Sequence, residues 1–212
     1  MNAQTQHLQL SGPAGAIEAA LDEPAATPSA VLVVCHPHPQ HGGTLDNKVV
    51  QTIARAGLQN GWRSLRFNFR GVGRSEGSWD AGRGEIDDAL AVVAAQRGAD
   101  LPLVLAGFSF GGFVAASVAQ RLAGAAPAQR LALVAPSTQK QTVPDLPEAL
   151  RAETFVVHGS DDEVVPCAAT LAWAAAQDLP VTVLPSSGHF FHGKLALLKT
   201  LLLRAWSQPL AG

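Results

Sequence analysis

The residues able to do covalent chemistry centre on one serine. Ser109 lies in Gly107-Phe108-Ser109-Phe110-Gly111, a G-x-S-x-G pattern. An apolar run, Leu103-Val104-Leu105-Ala106, precedes it, and the small-residue segment Phe113-Val114-Ala115-Ala116-Ser117-Val118-Ala119 follows. A serine on so tight a strand-to-helix turn has a strained backbone, and neighbours with a Cβ would strike the adjoining strand and helix. The strain lifts the hydroxyl clear of the sheet. The Phe110 N–H, in the first turn of the helix, points where an oxyanion would form.

A serine hydroxyl needs a base, and the base needs a group to orient it. On a turn of this kind the partners follow in the order acid, then histidine. Downstream of Ser109 stand His158, His189 and His192. His158 precedes the acids, the wrong order for the base. His189 follows Ser187-Gly188 just past the last strand and is the expected base, whereas His192 reads as a helix-entry residue. The acid lies among Asp161, Asp162 and Glu163, and spacing alone leaves Asp161 and Asp162 nearly equal.

The elements that must hold these groups can be read from periodicity. His7–Leu10 and Ala16–Leu21 alternate as two short antiparallel edge strands. Ala30–Cys35 is a continuous apolar run, expected of a parallel strand buried on both faces. Asn47–Leu58 carries helical spacing, Trp62–Phe69 alternates, and a helix from Glu85 has Asp87 and Asp88 favourably placed in its first turn. Beyond the elbow come strands Arg130–Ala135, Thr154–His158 and Pro180–Leu184, with helices from about Ala168 to Gln177 and Lys194 to Trp206. Strands alternating with helices argue an α/β fold with a mostly parallel sheet and helices on both faces. Ligands then bind at the strand C-termini, and the loops carrying Ser109, His36–Thr44, Ser160–Pro166 and Gly188–His192 all leave such ends.

The 212 residues show no linker and predict a single domain over residues 1–212. Hydrophobic residues make up 47% and charged residues 15%, which argues a large core and against disorder. A net charge of −2, with no basic block, offers nothing for nucleic acid or an anionic membrane. Met1–His7 shows no signal-peptide pattern, no apolar run is long enough to span a bilayer, and two cysteines, Cys35 and Cys167, make no disulfide scaffold. A cytoplasmic location is the default expectation, with monomer or dimer left open.

Several motifs together carry a resemblance. His36-Pro37-His38-Pro39-Gln40-His41-Gly42-Gly43-Thr44, Asn68–Gly77, Gly107–Gly111 and Gly188-His189-Phe190-Phe191-His192-Gly193 resemble the motifs of small, lidless hydrolases of the α/β-hydrolase superfamily, of the dienelactone-hydrolase type. The resemblance spans residues 31 to about 205. It implies the α/β-hydrolase fold, with about eight strands. The superfamily pattern H-G-x-x-D-x-x-V-P matches His158, Gly159, Asp162, Val165 and Pro166, and picks Asp162 as the acid. His189 falls on the family's catalytic histidine. The second oxyanion N–H is expected from the loop after Cys35, where Pro37 and Pro39 have none to give. That leaves His38, with Gln40 as the weaker choice.

A metal site on Cys35, His36, His38 and His41 is the rival for that loop, but no usual zinc spacing is present. Arg70–Ser75 lacks the Lys-Ser/Thr ending of a phosphate loop. It reads as a structural turn, with Asn68 and Arg70 bracing it more readily than lining the site. Pro136–Arg151 is too short, and too rich in proline, for a substantial cap.

The expected chemistry is therefore hydrolysis of a small-molecule carboxylic ester, of small or short acyl chain, by Ser109, His189 and Asp162, with the His38 and Phe110 amides as oxyanion donors and no cofactor or metal. A thioesterase or acyltransferase using the same residues is the alternative, and a binding protein on the same fold is a third reading.

Overall fold

Every position of the run Val31–Cys35 is buried, and its side chains go alternately to two different cores. Val31, Val33 and Cys35 enter one, Leu32 and Val34 the other, which explains why the run does not alternate in polarity. The computed structural model describes residues 5–98 and 101–210; the reading of Met1–His7 falls partly outside them, on residues 1–4. It contains one eight-stranded sheet in the order β1-β2-β4-β3-β5-β6-β7-β8. The strands are β1 Gln6–Gly12, β2 Gly15–Asp22, β3 Val31–Cys35, β4 Arg63–Phe67, β5 Leu103–Phe108, β6 Arg130–Val134, β7 Thr154–Gly159 and β8 Val181–Leu184. β1 pairs antiparallel with β2, and β2 antiparallel with β4; from β4 to β8 all pairs are parallel.

The helices are α1 Lys48–Gln59, α2 Arg83–Gln96, α3 Phe110–Leu122, α4 Glu148–Arg151, α5 Cys167–Ala175 and α6 Leu195–Ala205. α1 and α6 cover one face. Val50 and Ile53 meet Leu198, Leu202 and Trp206 there, with the Trp206 ring 4.8 Å from that of Trp62. α2 and α3 cover the other face through Ile86, Val93, Val114 and Val118. Asn47 caps α1 by accepting from the Val49 and Val50 amides. Among the described residues no helix is long and apolar enough to cross a membrane.

Two local expectations change. α2 starts at Arg83, with Glu85 accepting from the Asp80 and Gly82 amides to close its N-terminus. Asp87 and Asp88 therefore lie beyond the first turn and pair instead with Arg121 and Arg70. The strand expected to reach Phe69 ends at Phe67: the Asn68 amide still bonds to the Glu18 carbonyl, but the Phe69 amide donates to the His36 ring instead of to a neighbouring strand. The segment between β6 and β7 contains only the single short helix α4, which its few consecutive non-proline residues do not reveal by periodicity.

Candidate active site

Ser109 joins β5, the central strand, to α3 with φ 56° and ψ −119°. Such a backbone costs of order 1–3 kcal/mol and persists only where the surroundings hold it. Here the Ser109 N–H donates to the Val134 carbonyl at 2.9 Å, and its carbonyl accepts from Gly112 and Ser137 at 2.9 and 3.1 Å. The flanking glycines are required sterically. A Cβ on Gly107 would lie 2.0 Å from the Gly111 carbonyl oxygen, and one on Gly111 would lie 2.2 Å from that of Cys35.

Two further loops reach this hydroxyl. His189, past β8, places Nε2 2.9 Å from Ser109 Oγ and Nδ1 2.7 Å from Asp162 Oδ2. A carboxylate only accepts, so Nδ1 carries the proton and Nε2 is free to accept from the serine hydroxyl. The His189 ring rests on Phe108 at 4.9 Å. Asp162 Oδ1 accepts from the Val164 and Val165 amides at 2.9 and 2.8 Å. Burial alone would raise its carboxyl pKa. The hydrogen bonds from His158, His189 and the Val165 amide more than offset this and hold it well below the usual carboxylate range.

The alternatives point elsewhere. Asp161 is exposed and accepts from the Ser160 hydroxyl at 2.6 Å. Glu163 and His192 are exposed and border a second cleft that shares Val164, His189 and Phe190 with the one over Ser109, with the His192 ring stacked on Phe190. His158 does not approach Ser109; it touches Asp162 instead, at 3.1 Å. Order along the chain rules it out as the base, but nothing in that argument reveals its contact with the acid.

The loop after β3 folds back as a single 3-10 turn, Pro39–His41. His36 holds its base. Nδ1 donates to the Pro37 carbonyl at 2.6 Å, and Nε2 accepts from the Phe69 amide at 3.1 Å. Burial pushes the His36 pKa down to about 4, so it is neutral and both nitrogens are engaged. The Gln40 amide donates to His38 Nδ1 at 3.3 Å. The His38 ring packs against His41, Trp79 and Phe110 at 4.5, 4.6 and 5.2 Å. Burial, then the charges of His41 and Lys140, lower its pKa. Cys35 is buried, and burial raises its thiol pKa. Among the described residues no three His, Cys, Asp or Glu side chains are grouped to hold a metal.

Asn68 and Arg70 brace the surrounding loops and do not border the cleft over Ser109. Asn68 Oδ1 accepts from the Leu45 amide and its Nδ2 donates to Glu18, both at 2.8 Å. Arg70 grips the buried Asp88 with two nitrogens, at 3.0 and 2.8 Å. A cleft of about 330 Å³ opens over Ser109, bordered by His38, Phe110, Ser137, Lys140, Val164 and Phe190. Phe190 is 44% exposed, whereas Phe108, Phe110 and Phe191 are buried, so of these four Phe190 alone joins the open apolar rim, beside the exposed Val164.

This arrangement can be set beside known proteins. The family model described as serine aminopeptidase S33, a hydrolase family, matches residues 26–151. The protein belongs to this family. The matched segment includes Ser109 and ends before Asp162 and His189. A crystal structure of an α/β serine hydrolase without a lid, from Xanthomonas campestris, is similar at 37% identity over 100% of this chain and 98% of its own, with a TM-score of 0.89. An α/β serine hydrolase homologue from Coxiella burnetii is 37% identical over 94% of this chain and 96% of its own, with a TM-score of 0.84. The fold is thus that of a lidless α/β hydrolase. An uncharacterised protein of Rickettsia prowazekii is 37% identical over 118 residues, 54% of this chain. That match spans 49%, about half, of the relative's length.

Proposed function

We propose that the protein is a serine esterase acting on small carboxylic esters through an acyl-enzyme. The observation that carries this is the unbroken line of hydrogen bonds from Ser109 through His189 to Asp162, 2.9 and 2.7 Å long, at the floor of an open cleft. His189 Nε2 takes the hydroxyl proton as Oγ attacks the ester carbonyl. Asp162 holds the ring in the Nδ1–H form and stabilises the imidazolium. The oxyanion meets the Phe110 amide at the start of α3 and the His38 amide, each worth roughly 3 kcal/mol in the transition state. The bond between His38 Nδ1 and the Gln40 amide favours His38 over Gln40 as the second donor. His189 then gives its proton to the departing alkoxide. Water, deprotonated by the same nitrogen, attacks the acyl carbon, and Oγ recovers the proton. No step calls for a cofactor.

The family name refers to aminopeptidases, which must hold a free ammonium group. Among the described residues that border the cleft over Ser109 there is no Asp or Glu, and Lys140 stands at its edge, while Asp161 and Glu163 border only the adjoining cleft. A cationic substrate end is disfavoured there, which supports an ester with a neutral acyl chain over an N-terminal peptide. The size of the cleft supports short chains. Labelling by a fluorophosphonate probe tests the reading. Wild type should react rapidly and Ser109→Ala should not; equal rates in the two sink the proposal. A panel of 4-nitrophenyl esters of graded length then locates the acyl preference.

A further inference from the structure

One imidazole sits inside this network with no part in the proposed chemistry. His158 lies near the end of β7, four residues before Asp162, and both side chains are 0% exposed. Its Nε2 is 3.1 Å from Asp162 Oδ2 and 2.9 Å from the Val165 carbonyl oxygen. Both partners only accept, so Nε2 carries the proton and divides it between them. Its Nδ1 is buried without a partner, which also disfavours a proton there.

Resting on the esterase reading, we infer that His158 is a positioning residue for the acid, acting through a second N–H on the oxygen that orients His189. The geometry of the carboxylate gives the reason. Oδ1 is pinned by two backbone amides that belong to the same loop as Asp162 itself. Oδ2 faces His189, a ring that gains and loses a proton in every turnover. The N–H of His158 comes from the sheet, the rigid part of the site, and fixes the rotation of the carboxylate independently of that loop. It also compensates for burial, which opposes a charged Asp162. The shared bond to the Val165 carbonyl ties the loop to β7, and Val165 borders the cleft. A residue that only filled space here could be replaced by an apolar side chain of similar volume; a donor to a buried carboxylate could not.

The test compares His158→Leu with His158→Gln, whose amide can place N–H near the same point, alone and in an Asp162→Ala background. The readout is the second-order rate of fluorophosphonate labelling. His158→Leu should react about 10–100-fold more slowly, as expected for losing a hydrogen bond to a charged group. His158→Gln should recover most of that loss. In the Asp162→Ala background, His158→Leu should cost nothing further, because the carboxylate through which it acts is gone. The low-field proton resonance of His189 Nδ1–H should also move in His158→Leu. A His158→Leu rate within twofold of wild type, or a loss that persists without Asp162, overturns the inference. If His158→Leu does not fold, His158→Gln against His158→Asn decides: the shorter Asn should lose the rate that Gln keeps, and equal rates overturn it. Failure of the esterase reading is distinct, since wild type would then label no faster than Ser109→Ala.

Discussion

Replacing Asp162 by Asn isolates the electrostatic part of the site while keeping its shape. The variant still offers a carbonyl oxygen to the Val164 and Val165 amides, so the loop keeps two of its anchors. Its NH₂ group then takes the place of Oδ2, 2.7 Å from His189 Nδ1. Two donors cannot share that gap. The imidazole must shift its proton to Nε2, where it faces the Ser109 hydroxyl and can no longer accept from it. The same NH₂ group also opposes the Nε2–H of His158, 3.1 Å away. Loss of the correct tautomer with the geometry intact costs about 10⁴ in turnover, or roughly 5 kcal/mol of transition-state stabilisation at 1.36 kcal/mol per tenfold. The assay is kcat for a 4-nitrophenyl ester, with KM expected to change little because no part of the cleft is removed. Asp161→Asn is the control. Its carboxylate is exposed and bonded to Ser160, so it should stay within a few-fold of wild type. An Asp162→Asn enzyme retaining a tenth of the activity, or an equal loss in Asp161→Asn, would refute the assignment of the acid and the tautomer argument with it.

Other outcomes follow from the same structure. Gly111→Ala brings a Cβ to 2.2 Å from the Cys35 carbonyl, which cannot give way. A loss of roughly 3 kcal/mol should lower Tm by about 6–12 °C. Gly124→Ala, with nothing within 4 Å, should leave Tm nearly unchanged in the same scan, and similar values for both would contradict the packing argument. His36 has a folded pKa of about 4 against about 6.5 unfolded, so its neutral form contributes stability above pH 6.5 that is lost as pH falls towards 4. The loss amounts to about 3 kcal/mol. Urea unfolding of wild type should therefore lose stability over that window more steeply than His36→Gln; parallel slopes would argue against it. Lys140 is exposed and worth at most about fivefold for an acyl chain ending in a carboxylate over its neutral counterpart. The ratio of kcat/KM for the two should fall in Lys140→Glu, and an unchanged ratio would remove Lys140 from substrate selection.

The α/β alternation was legible because local composition and burial agree. Val31–Cys35 is apolar throughout since helices cover both faces of β3, and the helix stripe Leu198, Leu202, Trp206 is apolar since one face of α6 meets the sheet. The elbow was legible for a similar reason: Gly107 and Gly111 answer a contact within a few residues and with the strand beside them. Motif resemblance separated Asp162 from Asp161, which spacing did not. Three-dimensional packing alone decided the rest. His36 belonged to the rival metal reading that the absence of a zinc spacing already disfavoured, and only the fold shows Pro37 and Phe69 occupying both its nitrogens. Asp88 could have served the helix dipole until Arg70 was found against it. The pattern H-G-x-x-D-x-x-V-P fixes His158 four residues before Asp162, but it does not show which atoms meet, because the Nε2–Oδ2 contact depends on how the loop after β7 turns back over the strand end.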